Sequence, residues 1–195
     1  MDMVFINGGF MNTPCRGKNM LAKDVIIRCL KRLGEELKEI GVNGEILLAG
    51  GAAMCLVHSA RDMTKDIDAL YEPKVVINQL AKAIAEQENL PEDWLNDGVK
   101  GYIGHNAPAN DFMVFGNLKV SAVAPEYLLS MKLMSSRFGE TDADDIRFLL
   151  AKMDIRSSDE AMEVLSRFFP PSRILPKTIY MLQECIEANA SRRRP

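Results

Sequence analysis

Asp66 and Asp68 are one residue apart in Asp66-Ile-Asp-Ala-Leu-Tyr71, a stretch in which charged and apolar residues alternate. On an extended strand, side chains two residues apart project to the same face. The two carboxylates would then stand side by side while Ile67 and Ala69 turn inward. Two anions held that close repel one another unless a cation bridges them, and a hard divalent ion with oxygen ligands, Mg2+ or Mn2+, suits such a pair. Taken alone, the same Asp-x-Asp also reads as a polar strand edge. Upstream, Gly50-Gly51 separates the strand-like Glu45-Ile-Leu-Leu-Ala49 from Ala52 to Ser59, which reads as a helix. The first N–H groups of a helix have no intrahelical partners, and glycine lets an anion come close to them, so the pair offers a phosphate seat. Close packing of helix on strand would also call for glycine here.

The phosphate seat and the acidic strand fall on consecutive elements with one short helix between them. Phosphoryl or nucleotidyl transfer needs that order, because the metal must bridge phosphate oxygens that the backbone already holds.

The elements that would position these residues follow from periodicity. From Ala22 to Ile40, Val25, Ile26, Cys29, Leu30, Leu33 and Leu37 recur at steps of three and four, which predicts an amphipathic helix stopped by Gly41. Val75 to Gln87 predicts a second helix, and Pro91 to Asp97 reads as irregular. Strands are predicted around Phe112 to Phe115 and Leu118 to Val123, joined by a turn at Gly116-Asn117. Pro125 opens a helix running to about Arg137, Thr141 to Asp144 has the outline of a capping box, and two further helices lie between Ser157 and Ala190. The expected fold is α/β (α+β), a small mixed or antiparallel sheet flanked by helices. Its expected divisions are an arm over residues 1–21, a core over 22–124 and a helical extension over 125–195.

Other chemistries are poorly supported. The sequence has no G-x-x-x-x-G-K-[ST] and no G-x-G-x-x-G. His58 and His105 lack a nucleophile elbow and read as packing or surface histidines. Cys15, Cys29, Cys55 and Cys185 form no C-x-x-C pair, so neither zinc nor a disulfide frame is expected. The formal charge of -3 signals no nucleic-acid-binding field, and the basic run Arg192 to Arg194 reads as a solvated tail, with RNA contact as the minority reading. No apolar run approaches the roughly 20 residues that span a bilayer, and no basic leader precedes an apolar stretch. A cytoplasmic protein without membrane contact is expected.

Leu47-Leu-Ala-Gly-Gly-Ala-Ala-Met54 followed by Arg61-Asp-Met-Thr-Lys-Asp-Ile-Asp68 resembles the hG[GS] and DhD signature of the DNA polymerase β-like nucleotidyltransferase superfamily. Within it the chain is similar to small bacterial proteins of the DUF6036 kind, related to AbiEii-type toxins. Trp94 to Asp97, the Ala124 to Lys132 helix, Arg137 and Asp142 to Asp145 share in that likeness, which covers about residues 45 to 150. The resemblance implies that Asp66 and Asp68 ligate the metal, that Gly50 and Gly51 contact nucleotide phosphates, and that Lys132 neutralises phosphate charge.

Each further candidate also has an ordinary structural reading. Lys132 sits among Leu128, Leu129, Leu133 and Met134, where it would snorkel from a helix flank, or pair with a triphosphate or with Asp145. Arg61 and Thr64 either donate to phosphate, or orient Asp66, or are ordinary solvated loop residues. Trp94 is a core anchor, or its box touches the site. The predicted later strands carry no acid, whereas the superfamily places a third carboxylate there. Asp97, Asp142 and Asp145 are the candidate substitutes, Asp142 and Asp145 being explicable as helix N-terminal acids as well. The expected activity is metal-dependent transfer of a nucleoside monophosphate from a nucleoside triphosphate to a hydroxyl of RNA, especially a tRNA end, or of a protein. A toxin–antitoxin setting would add a cognate antitoxin as partner. The alternative is a degenerate fold that senses nucleotide or binds a partner.

Overall fold

The computed structural model describes residues 20–104, 106–134 and 140–192, with the side chains of Glu140 and Thr141 left out of the description. The readings placed on residues 1–19, His105, Arg137, Arg193 and Arg194 lie outside it.

The fold is mixed α/β: a five-stranded mixed sheet with flanking helices and a helical C-terminal region. In chain order the elements are β1 (Leu21–Ala22), α1 (Lys23–Glu39), β2 (Gly44–Leu48), α2 (Gly50–Leu56), β3 (Met63–Thr64) and β4 (Ile67–Glu72). They continue with α3 (Lys74–Glu88), β5 (Leu95–Asn96), β6 (Ala109–Phe115), β7 (Leu118–Val123) and α4 (Pro125–Met134). The chain closes with α5 (Glu140–Lys152), α6 (Ser158–Ser166), a 3-10 turn at Pro171–Arg173 and α7 (Pro176–Arg192).

The sheet order is β5-β4-β2-β7-β6, with β2 antiparallel to β4 and parallel to β7. Alternation along the strands divides it into two faces. Ile46 is in register with Tyr71 and Val120, and Leu48 with Ala69 and Ala122; all are buried. Leu47 is in register with Leu70 and Ser121, and Glu45 with Glu72 and Lys119, on the less covered face. Asp68 belongs to this second face by the two-residue period, because Ile67 and Ala69 on either side of it are fully buried.

Helix α1 buries Ile26, Cys29, Leu30, Leu33 and Leu37, the face that its periodicity predicts. Arg28 and Arg32 tie it to the end of α3, and two further fastenings set it along its length. Near its start the Lys23 N–H donates to the Asp62 carbonyl at 3.1 Å and the Lys23 ammonium to Ser59 Oγ at 2.8 Å. Further along, the Asn117 N–H of the β6–β7 turn donates to the Gly34 carbonyl at 3.1 Å. A side chain at position 34 would prevent this crossing, since a Cβ there would stand 1.9 Å from the Phe115 carbonyl oxygen.

Several predicted boundaries move. Gly50 and Gly51 form the first turn of α2 instead of preceding it. The connection before Asp66 contains β3, which pairs with β1, and the stretch read as irregular contains β5, which pairs in parallel with β4. Helix α5 is described over Glu140–Lys152, so Thr141 lies within it, where a helix start was expected. Strand β6 begins three residues earlier than predicted and includes Asp111, so the expectation of no acid on the later strands is corrected. Alternation was a poor guide there because β6 carries a register shift between Asp111 and Met113 and is largely exposed.

Candidate functional site

The chain turns abruptly at Ala49. Its N–H donates to the Asp68 carbonyl at 3.0 Å, which ties the end of β2 to the start of β4, and the backbone then enters α2 through Gly50 at φ +53. A left-handed residue there favours glycine. The neighbourhood adds a second reason, because a Cβ on Gly50 would stand 3.2 Å from Asp68 Oδ2. The Gly50 backbone and the Asp68 carboxylate therefore form one continuous surface.

Asp68 and Gly50 open onto a cavity of about 370 Å3. Its other walls come from Gly98, Val99 and Tyr102 after β5, from Leu128, Met131 and Lys132 on α4, and from Asp142 on α5. The cavity is a cleft between one end of the sheet's less covered face and the C-terminal helices. Polar groups gather around Asp68, Lys132 and Asp142, while Val99, Leu128, Met131 and Phe169 supply apolar wall. This distribution suits a ligand with one charged and one flat, apolar part.

Lys132 does not snorkel to solvent. Its ammonium is 2.6 Å from Asp142 Oδ1 and 2.8 Å from Asp145 Oδ2. Asp145 is 3% exposed and also receives the Arg61 guanidinium, whose Nη2 is 3.2 Å from the same oxygen. Arg61 lies against the glycine pair, since a Cβ on Gly51 would stand 2.6 Å from Arg61 Nη2 and 2.5 Å from Thr64 Oγ1. One chain of charges thus runs from the start of α2 through Arg61, Asp145 and Lys132 to Asp142. Burying so many charges is tolerable because each meets an opposite one.

Asp66 stands just before β4, half-buried, and its carbonyl accepts a hydrogen bond from Thr64 Oγ1 at 3.2 Å. Thr64 is buried, and its hydroxyl meets the backbone of Asp66. Asp66 is not part of the wall formed around Asp68, so the two carboxylates differ in setting where the strand pattern made them equivalent.

Two candidate acids are elsewhere. Asp97 pairs with Lys74, which holds its carboxyl below the usual carboxylate range, and both groups are partly exposed. It borders a different surface cavity beside Asn96 and Asn78. Asp111 is in register with Ser121 on the outermost strand, with a side chain 76% exposed and engaged by Lys119 and the Ser121 hydroxyl. Three strand spacings, about 14 Å, separate β6 from β4. Asp142 remains as a second carboxylate on the cavity that holds Asp68. Among the described residues, no group of three or more His, Cys, Asp or Glu side chains is arranged to hold a metal ion.

Trp94 is a core anchor. It is 1% exposed, its indole N–H donates to the Ala81 carbonyl at 2.9 Å, and its own carbonyl receives the Ile67 N–H at 2.7 Å. It thereby seats β5 beside β4, with Asn96 in register with Asp68. Sequence reasoning missed Gly98 and Tyr102 as cavity residues, and the two-residue β5 is too short for any periodic signal. His58 packs beside Phe148 on the far side of Asp145 and lines no part of the cavity.

No family model and no curated protein matches the chain. Among solved structures it is similar to an antigenic nucleotidyltransferase-like protein from Paracoccidioides brasiliensis, at 16% identity and a TM-score of 0.43, over 83% of this chain and 95% of that one. No helix among the described residues is long and apolar enough to cross a membrane.

Proposed function

We propose that the cleft around Asp68 binds a nucleoside triphosphate with a divalent cation and transfers its nucleoside monophosphate to a hydroxyl acceptor. The observation that supports this reading is the convergence of Asp68, the Gly50 backbone and Lys132, from three separate elements, on one cavity. Asp68, on the cavity wall, and Asp66, just before β4 and outside that wall, are the residues that would hold Mg2+ or Mn2+. Two carboxylates suffice where phosphate oxygens and water complete the shell, and the ion, when bound, supplies charge neutralisation on the phosphates.

The protein's own groups have distinct tasks in this reading. Gly50 lets phosphate oxygens approach its backbone without a side chain in the way. Lys132, held between Asp142 and Asp145, presents a fixed positive charge to the triphosphate. Arg61, fastened to Asp145, and Thr64 brace the glycine turn and the approach to Asp66. The acceptor oxygen forms a bond to the α-phosphorus, the bond from that phosphorus to the β-bridging oxygen breaks, and pyrophosphate leaves. The hydroxyl proton passes to Asp142 or to solvent. An RNA, in particular a tRNA end, or a protein side chain would serve as acceptor. The DUF6036 and toxin–antitoxin assignment, with a cognate antitoxin, rests on the sequence motifs alone.

A second reading is a nucleotide sensor without turnover. It is favoured by the full engagement of Lys132 with two carboxylates and by the distance of Asp111 from Asp68. Incubation with labelled nucleoside triphosphates, Mg2+ and total RNA or lysate distinguishes the two. Label transfer that Asp66→Ala with Asp68→Ala abolishes supports the transferase. Nucleotide-dependent thermal stabilisation without transfer supports the sensor, and indifference of both proteins to nucleotide defeats both readings.

A further inference from the structure

We propose that a second cavity, lined by Asp145 and three arginines, is a second anion site that takes a phosphate group. It measures about 570 Å3 and lies between the end of α2, α5 and α7. Arg61 reaches it from the loop after α2, Arg147 from α5, and Arg192 from the last turn of α7. Three elements distant in sequence thus bring three guanidinium groups to one place, in a chain whose formal charge is -3.

Asp144 and Asp145 also line the cavity and pair with Arg147 and Arg61. Arg192 has no acidic partner among the described residues' ion pairs, so the lining keeps one positive charge in excess. Donor capacity is also unused: the Nε–H groups of Arg61 and Arg147 are both buried and without an acceptor among the described residues. Such donors are costly to leave unsatisfied. A guanidinium's Nε and Nη groups form a fork, the geometry that matches the oxygens of a phosphate.

The arginines are positioned and not merely adjacent. The Asn189 side-chain amide donates to the Arg147 carbonyl at 2.9 Å, which locks α7 onto α5. Asn189 and Arg192 are three residues apart and share one side of α7, so the same contact places Arg192 at the cavity rim. The basic run that begins at Arg192 therefore starts at a built cavity. Asp145 lines this cavity, and its Oδ2 meets both Arg61 and Lys132, which lines the first cavity.

Calorimetric titration with inorganic phosphate at constant ionic strength tests the site on the full chain. Saturable binding that Arg192→Gln or Arg147→Gln weakens at least tenfold, and Gly50→Ala leaves unchanged, is the expected result. Arg192 is exposed at a helix end, so its substitution tests binding without disturbing the fold. No saturable binding, or binding that neither arginine substitution weakens, overturns the proposal. Loss on Gly50→Ala alone also overturns it, by assigning phosphate to the first cavity, and leaves the proposed function standing. A short oligouridylate that displaces phosphate from the wild-type protein identifies the ligand as a nucleic-acid strand, and one that does not identifies it as a free phosphate compound; each is a form of the same site.

Discussion

The Lys132 ammonium stands 2.8 Å from a carboxylate oxygen of Asp145, a residue that the same oxygen also joins to Arg61. Two cations on helix α4 and on the loop after α2 therefore depend on one buried anion of α5. Removing one member of a buried charge cluster leaves the others uncompensated. Asp145→Ala is expected to lower unfolding stability by about 3 kcal/mol, read as a lower urea midpoint with little change in slope. Lys132→Met should cost less than Asp145→Ala, because it leaves Arg61 paired. The reverse order would show that the cluster is not centred on Asp145.

The glycine pair separates conformational from steric demands. Gly50→Ala forces an alanine to φ +53 and brings its methyl to 3.2 Å from Asp68 Oδ2, and should cost about 1–2 kcal/mol. Gly51→Ala has no unfavourable φ but drives a methyl against Thr64 and Arg61. It should weaken nucleotide binding at least tenfold, measured by calorimetry, if Arg61 must hold its place. An unchanged affinity would show that Arg61 moves freely.

His58 couples stability to pH. Burial, with a smaller contribution from the nearby Lys152, lowers its pKa below the ordinary value. In the unfolded chain the imidazole takes up its proton near pH 6.5, roughly the free value, while the native protein stays neutral to lower pH. Across that window the unfolded state binds more protons, so acidification destabilises the fold, and above the window the effect is absent. His58→Gln should flatten the fall in melting temperature between pH 7 and pH 5. A slope identical to wild type would assign the acid sensitivity to other groups.

Cys29 is buried against β-sheet and helix, and burial, reinforced by Glu88, pushes its thiol up to about 11. Cys55 and Cys185 are raised by burial as well. At pH 8 the thiolate of Cys29 should be scarcer by ~100-fold than that of an unperturbed cysteine. Alkylation followed by peptide mapping should leave these three residues unmodified in the native protein and label them in urea. Fast native labelling of Cys29 would mean that α1 opens readily.

Helices α1 and α3 and strands β2, β4 and β7 were legible because each buries one regular face: Ile26, Cys29, Leu30 and Leu33 on α1, Ile67 and Ala69 on β4. The parts of the site that were legible are those carried by local chemistry. Gly50 touches Asp68, and Lys132 meets Asp145, one of its two expected partners. What sequence could not supply is long-range placement. Asp97 turns to Lys74, β6 begins early and carries Asp111 to the sheet's outer edge, and Arg147 and Arg192 meet only because α7 folds back on α5. None of these pairings leaves a periodic trace, since each joins elements whose separation is set by tertiary packing.

The two fastenings of α1 make that helix a ruler. Between Lys23, tied to the loop that leads to Asp66, and Gly34, tied to the turn at Asn117, the rise is about 16 Å. Deleting one residue from this interval would shorten it by about 1.5 Å and swing the two anchor points out of phase by about 100°. The spacing between the hairpin tip and the loop before β4 is therefore written in a residue count, and length changes in α1 would be felt along that loop.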